Sequence, residues 1–270
     1  MRRAGVRGAL LLVPCAVAAC GGGSTAAPHA STSASASATP QLAGTQRTVL
    51  SPLGLNVHSD PATSASVVAT ASQGVLLTVL DYRSDNGGWF KVMGQSTTGW
   101  ITADPSLTAS GTFTPYSSDA RMFSVLIPSS WTFSEETSDV VFRPQQGARS
   151  IVVRTAATTA ALGQEAPTGY AMSFTQQEIV CGYTGQLDEY VRAGSSAATP
   201  SASPANGGQR LGNYAAIRLT LDAMHAIELA LNYEKKDDLQ TFRDFYNSIT
   251  FPFPLCQAPA ATPSAAVPPT

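Results

Sequence analysis

Few side chains in this sequence are spaced for catalysis. Glu135 and Glu136 are adjacent carboxylates, but they lie in a predicted turn, where a solvated pair is expected rather than an acid–base couple. His225 begins a predicted strand near a hairpin turn, without a serine or cysteine nucleophile in a recognisable motif nearby. The sequence contains no phosphate-binding loop and no dinucleotide fingerprint. We therefore expect a non-enzymatic protein without cofactors, and a cryptic hydrolase or lyase is the lesser alternative.

Aromatic side chains are the better candidates for binding a ligand. Tyr82, Trp89 and Trp100 each combine a large contact area with a polar tip. The alternative is that Trp89 and Trp100 are core residues that close the ends of a small barrel. His58 could contact the same ligand, whereas a metal site is not expected because no further metal-ligating residues stand at ligand spacing from it.

The N-terminus has the pattern of a secretory signal peptide. Arg2, Arg3 and Arg7 precede a short apolar run at residues 9–19, which ends in small residues. The run is too short to cross a bilayer, which takes about 20 residues. The pattern therefore predicts an exported protein.

Cys20 directly follows Val17-Ala18-Ala19 and is followed by glycines and a serine at residues 21–24. This stretch resembles the lipobox of bacterial lipoproteins. The resemblance implies that residues 1–19 are a lipoprotein signal peptide and that the Cys20 thiol carries a diacylglyceryl group with fatty chains such as palmitate. It also implies anchoring to the cell membrane on its extracytoplasmic face. The alternative is an ordinary signal peptidase, whose small-x-small rule Ala16-Val17-Ala18 would satisfy.

Two cysteines remain for a disulfide. Cys15 lies within the signal peptide and Cys20 is the lipid site, which leaves Cys181 and Cys256 as an even pair in an oxidising compartment. Their disulfide would close a loop of about 75 residues and contribute about 4 kcal/mol in the chain-entropy model. Two separate buried thiols are the alternative.

The composition argues against a nucleic-acid-binding protein. Charged residues make up 13% of the chain, and from Cys20 onward 13 basic residues face 18 acidic ones, for a net charge of -5. Binding to nucleic acid requires a basic face for phosphate contacts. The densest basic point is Lys235-Lys236, so we expect no nucleic-acid partner.

The first folded region is predicted to begin after a tether. Residues 20–46 are rich in Ser, Ala and Gly, and such a composition predicts disorder. Residues 47–108 contain short apolar strands separated by turn residues, which indicates a small all-β barrel or sandwich. Within it, Val75, Leu77 and Val79 share one face of a strand.

Four segments of this region form a recurring pattern: Gly54-Leu55-Asn56-Val57-His58-Ser59-Asp60-Pro61, Gly74-Val75, Gly88-Trp89-Phe90-Lys91-Val92 and Thr98-Gly99-Trp100-Ile101. With them, residues 47–108 resemble the bacterial SH3-like (SH3b) domain. The sequence departs from the family pattern at two positions, where His58 replaces an arginine and Asp60 replaces a glycine. The resemblance implies an extracellular module that binds cell-wall peptidoglycan or its peptides, or that packs on a neighbouring domain.

A second domain is predicted at residues 121–256, after a polar joint at 109–120 in which Pro115 breaks regular structure. Strands are expected first, then a helix over 168–181, where Tyr170 and Phe174 are four residues apart. Residues 194–209 read as a disordered insertion and residues 257–270 as a disordered tail.

The end of this domain has the clearest pattern. Residues 217–222 and 227–233 alternate as a hairpin with one buried face. The period then changes to that of a helix with an aromatic stripe, and Asp237 with Gln240 suggests a capping box at its start. The stripe consists of Leu239, Phe242, Phe245, Tyr246 and Ile249.

An antiparallel sheet with helices packed on it is an α+β domain. The segment Phe123–Trp131 and the closing pattern from Phe242 to Phe251 resemble the PsbP-like fold of a photosystem extrinsic subunit. The resemblance implies binding to a protein partner. The expectation is thus a multidomain lipoprotein, an SH3-like barrel followed by an α+β domain and flanked by disordered segments. Its partners would be the membrane through Cys20, peptidoglycan or a cell-wall peptide, and an envelope protein, and its alternative role a structural accessory subunit of an envelope complex.

Overall fold

The computed structural model describes residues 42–94, 96–163, 166–193 and 212–256. Cys20, most of the predicted tether, the predicted insertion at 194–209 and the predicted tail at 257–270 lie outside these residues. The strands are β1 (Gln46–Val49), β2 (Leu55–His58), β3 (Val67–Ala71), β4 (Leu76–Arg83), β5 (Trp89–Met93), β6 (Thr98–Thr102), β7 (Thr108–Ser110), β8 (Phe113–Ser118), β9 (Phe123–Pro128), β10 (Trp131–Glu135), β11 (Asp139–Pro144), β12 (Ser150–Ala156), β13 (Tyr170–Val180), β14 (Tyr183–Arg192), β15 (Asn213–Asp222) and β16 (His225–Tyr233), and the helix is α1 (Asp238–Asn247).

Strands β1–β7 form the barrel, an antiparallel sheet in the order β3-β2-β6-β5-β4-β1-β7. The predicted strands of this region are confirmed. Val75, Leu77 and Val79 all contact the barrel core, as their period of two predicts. The end of the predicted tether joins the barrel, since Leu42 packs on its core and the Gly44 N–H donates to the Val79 carbonyl.

The second sheet is antiparallel, with the order β10-β11-β12-β16-β15-β14-β13. The predicted β15–β16 hairpin and the predicted terminal helix are confirmed. Phe242, Phe245 and Tyr246 of α1 are buried, and the Phe245 ring lies 5.2 Å from that of Phe142 in β11. The two-stranded β8–β9 ribbon covers the same face of this sheet, through Tyr116, Phe123 and other residues in the shared core.

The helix predicted over 168–181 is wrong, because Tyr170–Val180 form strand β13 at the edge of the sheet. Residues four apart share a face in a helix, but they also do so in a strand, so Tyr170 and Phe174 fit both periods. Pairing with β14 along nearly its whole length makes this segment a strand. The described residues are therefore mostly β-structure, and α1 is the α-helix found among them.

The predicted joint at 109–120 is regular backbone rather than a linker. Its residues contribute to β7, β8 and a 3-10 turn at Asp119–Arg121. Pro115 lies within β8, where a proline is tolerated because β8 pairs with β9 alone. The strand that leaves the barrel thus leads directly into the second sheet's core.

The start of α1 also differs from the prediction. Asp237 occupies the N-cap position but makes no side-chain cap hydrogen bond. Asp238 accepts a hydrogen bond from the Lys235 N–H (3.2 Å) and pairs with Arg149, while Gln240 donates to Asp244. The predicted capping box is therefore wrong, because Asp238 is turned back to the preceding loop.

Cys181 and Cys256 lie at disulfide distance, with Cα atoms 4.7 Å apart. Cys181 and Gly182 form the tight β13–β14 turn and have φ values of 48° and 84°. This pair of positive φ values suits a two-residue hairpin turn. A side chain at Gly182 would collide with the Leu255 carbonyl, so the turn and the C-terminal segment are packed closely.

The barrel and the second sheet contact one another through polar and apolar groups. Gln73 donates from Nε2 to the Leu50 carbonyl (2.9 Å) and to the Ser248 carbonyl (2.7 Å). Asp244 of α1 is also near this junction. Burial raises the pKa of Asp244 to about 6, against the opposing effects of a Gln240 hydrogen bond and of Arg47 in β1.

We expect that replacing both Cys181 and Cys256 with serine lowers the free energy of unfolding by about 4 kcal/mol, because the open chain gains loop entropy when unfolded. Urea unfolding of the variant and of the parent protein, with and without reductant, measures this. The reduced parent should match the variant. Equal stability of oxidised and reduced parent protein would contradict the prediction.

Asp244→Asn should raise the melting temperature at pH 8 and have less effect at pH 4. The folded-state pKa of Asp244 is raised, so its favourable contribution is present below the unfolded pKa and is lost as the pH rises through about 6. Thermal unfolding at several pH values tests this. The exposed Glu234→Gln variant is the control, and a pH-independent difference for Asp244→Asn would count against the assignment.

Candidate functional site

Trp89 and Trp100 lie outside the barrel core although both are buried. Phe90 and Ile101, their chain neighbours, contact the core, so the two tryptophans point to the opposite side of the sheet. Yet Trp89 is 2% exposed and Trp100 is 7% exposed. Neither indole presents an open stacking face, and their burial favours the packing role over the platform role.

Cationic side chains cover the Trp100 ring. The Arg83 guanidinium lies 5.3 Å from the ring centroid, and the Lys91 ammonium nitrogen 5.9 Å from it. Such contacts are attractive because the face of an indole carries negative charge density. Lys91 and Trp100 are directly opposite each other in β5 and β6, which places the ammonium group over the ring.

His58 completes this group on the side of β2. It lies opposite Trp100, and its ring meets that of Trp89 edge-on at 5.6 Å between centroids. Its Nδ1 is 3.0 Å from the Ala65 carbonyl oxygen. His58, Arg83, Trp89, Lys91 and Trp100 together are called the aromatic–basic patch below.

Tyr82 is the predicted ligand residue that lies apart from this patch. It is opposite Phe90, whose ring is 5.4 Å away, and therefore points to the core side near the end of β4. Its exposed fraction is 37%. The structure thus brings together His58, Trp89 and Trp100, and it adds Arg83 and Lys91, which sequence reasoning missed.

A row of polar side chains crosses the second sheet on the face opposite α1. Each member lies directly opposite the next on the neighbouring strand. In order from β11 to β13, the polar row consists of Asp139, Arg154, Glu228, Arg218, Gln186 and Gln177.

Glu228 is the centre of the polar row. Its side chain is 1% exposed and lies between two arginines. Oε1 of Glu228 is 2.7 Å from Nη1 of Arg154, and Oε2 is 2.6 Å from Nε of Arg218. Burial raises the pKa of Glu228 above its ordinary value, although both arginines oppose that shift. Arg218 also donates to the Gly163 carbonyl (3.0 Å). The carboxylates of the row pair with its arginines. This pairing indicates that the row stabilises the sheet.

The residues weighed for catalysis have structural partners. His225 Nδ1 lies 2.8 Å from the Asp222 carboxylate, across the β15–β16 turn. Glu135 accepts a hydrogen bond from the Tyr116 hydroxyl (2.8 Å), and the Glu136 N–H donates to the Asp139 carbonyl. Among the described residues, no three His, Cys, Asp or Glu side chains are grouped as metal ligands. In the same part of the chain, no helix has the length and apolar character needed to cross a bilayer.

Comparison with solved structures finds a likeness to cyanobacterial PsbP (CyanoP) from Synechocystis sp. PCC 6803. The identity is 16%, the match covers 52% of this chain and 92% of that chain, and the TM-score is 0.36. No curated protein matches the sequence.

A comparison with protein families concerns the barrel. Residues 53–104 match the family model described as the bacterial SH3 domain. The match spans β2 to β6 and contains His58, Arg83, Trp89, Lys91 and Trp100. This chain therefore carries a bacterial SH3-like domain in the region where its sequence motifs predict one.

Proposed function

We propose that this protein is an exported, lipid-anchored protein of the cell envelope with a non-catalytic binding role. Its barrel would bind the cell wall or a peptide, and its second domain would bind an envelope protein. The observation that carries the proposal is the aromatic–basic patch, which lies within the region that matches the bacterial SH3 domain family.

The patch has the chemistry to bind carboxylates. Arg83 is exposed and Lys91 is half-buried, so each of the two cations can contact a ligand. The Trp100 ring positions both cations through its contacts with them. Hydrogen bonds between cationic donors and carboxylates are about twice as strong as those between neutral groups. The peptide stems of cell walls carry free carboxylates, which makes them suitable ligands for such a surface.

Glu228 of the second sheet is a poor candidate for an acid–base catalyst. Glu228 has a raised pKa, which in a cleft could indicate an acid–base group. Both oxygens of Glu228 are occupied by Arg154 and Arg218. A carboxylate with its lone pairs committed to arginines is poorly placed to transfer protons to a substrate.

The alternative role is that of a structural accessory subunit. Gln73 of the barrel donates to the Ser248 carbonyl beyond α1, and the Leu126 side chain packs on the barrel residues Leu50 and Ala109. Such contacts favour two modules that work as one rigid body. In that case the barrel would position the second sheet for assembly and would not bind a ligand of its own.

Sedimentation of the soluble chain from residue 21 with purified peptidoglycan tests the ligand. Replacing Arg83 and Lys91 with alanine should weaken binding by about tenfold, because charge-assisted hydrogen bonds are lost. Arg143→Ala, at an exposed position of β11, is the matched control and should bind like the parent protein. Absent binding, or equal binding by all variants, would favour the accessory-subunit role.

The membrane anchor rests on the sequence around Cys20. Fractionation of the producing cells followed by mass spectrometry of the N-terminal peptide should find Cys20 at the N-terminus, with the mass of a diacylglyceryl group added. The Cys20→Ala protein should lose this modification. A parent protein recovered from the culture fluid with an unmodified N-terminus would refute the anchor.

A further inference from the structure

A cavity of about 370 Å³ lies where the end of β7, the β9–β10 turn and α1 meet. Phe113, Ser130, Trp131, Arg149, Thr241 and Asp244 are among the residues that line it, and we call it the junction cavity. Small-molecule sites range from about 300 to 1,000 Å³ and often lie where two domains meet. The junction cavity is on neither the aromatic–basic patch nor the polar row.

The Asp244 carboxylate accepts fewer hydrogen bonds than it could. Within the described part of the chain its carboxylate receives one side-chain hydrogen bond, from Gln240 Nε2 at 2.9 Å. A carboxylate can accept about four. Burial with so few donors raises the pKa of Asp244 to about 6. A ligand that donates hydrogen bonds would therefore relieve a cost that this carboxylate has in the free protein.

Positive charge stands on the same cavity. The Arg149 guanidinium lies 5.3 Å from the centroid of the Trp131 ring and pairs with Asp238. Arg47 of β1 donates hydrogen bonds to Thr108 and Ser110. Its positive charge opposes the rise in the pKa of Asp244 across the junction. These arginines would repel a cationic ligand, and the Asp244 carboxylate would repel an anionic one. The charges around the cavity therefore favour a neutral ligand.

We propose that the junction cavity binds a neutral saccharide unit. Its hydroxyls would donate to Asp244 and accept from Arg149, while Ser130 and Thr241 offer further hydroxyl contacts. The apolar side of a sugar ring would face Phe113. This site is independent of the aromatic–basic patch, so a saccharide could occupy it whether or not the barrel binds peptide.

The three tryptophans of the chain make the site easy to follow. Two belong to the aromatic–basic patch, and Trp131 lines the junction cavity. The full chain labelled with fluorotryptophan, in a detergent without sugar headgroups, should give fluorine NMR signals that Trp→Phe variants assign. Titration with N-acetylglucosamine should shift the Trp131 signal saturably and leave those of Trp89 and Trp100 in place.

Charge-matched probes and variants complete the test. Glucosamine and glucuronate, which add a positive and a negative charge to a similar ring, should bind more weakly than N-acetylglucosamine. Asp244→Asn should weaken binding by about tenfold through the lost charged acceptor, and Thr241→Val should weaken it less. The exposed Glu234→Gln control should bind like the parent protein.

Several results would overturn the proposal. These are no saturable shift of the Trp131 signal, tighter binding of glucosamine than of N-acetylglucosamine, or unchanged affinity in both Asp244→Asn and Thr241→Val. Shifts confined to Trp89 and Trp100 would instead assign the saccharide to the aromatic–basic patch. That outcome would refute the junction site while leaving the proposed cell-wall role of the barrel intact.

Discussion

Strand β9 divides its side chains between two cores, and the arrangement of the rest of the molecule depends on this. Phe123, Val125 and Ile127 are buried against the second sheet, whereas Leu126 packs with Leu50 and Ala109 of the barrel. The alternation follows from strand geometry, since successive side chains point to opposite sides. One short strand therefore holds both modules, and neither can move away without exposing apolar surface.

Polar contacts secure the same strand at its backbone. Leu126 N–H donates to the Ser248 hydroxyl (3.1 Å), and the Ser248 carbonyl in turn accepts from Gln73 of the barrel (2.7 Å). Ser248 is fully buried, so these groups would be costly to leave without partners. The end of α1, strand β9 and the barrel are thereby joined through a single residue.

The two faces of the second sheet are stabilised by different means. The apolar face is covered by α1 and the β8–β9 ribbon, and the opposite face carries the polar row, centred on Glu228. A buried ion pair adds little net stability compared with apolar packing, but loss of one partner leaves a buried charge unpaired. A register slip of one residue would break every pair in the row, so the row favours a single strand register.

Short-range sequence patterns were sufficient for much of the fold. The period of two in Leu77 and Val79 predicted a barrel strand, and the aromatic stripe of Phe242 and Phe245 predicted α1, because both patterns reflect one buried face. Counting cysteines predicted that Cys181 pairs with Cys256 and left two separate thiols as the alternative, and the structure places the two residues at disulfide distance. These features depend on local spacing or on composition, which a sequence displays directly.

Contacts between elements that are distant in the chain could not be predicted from local patterns. Residues 170–180 form a strand because they pair with β14, although the spacing of Tyr170 and Phe174 also fits a helix. The segment expected to be a joint contains strand β8 because it pairs with β9. The position of the cations over Trp100 depends on strand register, and the presence of Asp244 and Arg149 in one cavity depends on how α1 packs. The periodic strands, the terminal helix and the barrel motifs can therefore be read from local spacing in the chain. Which side chains share a site depends on the fold, because residues far apart in the chain become neighbours only through packing.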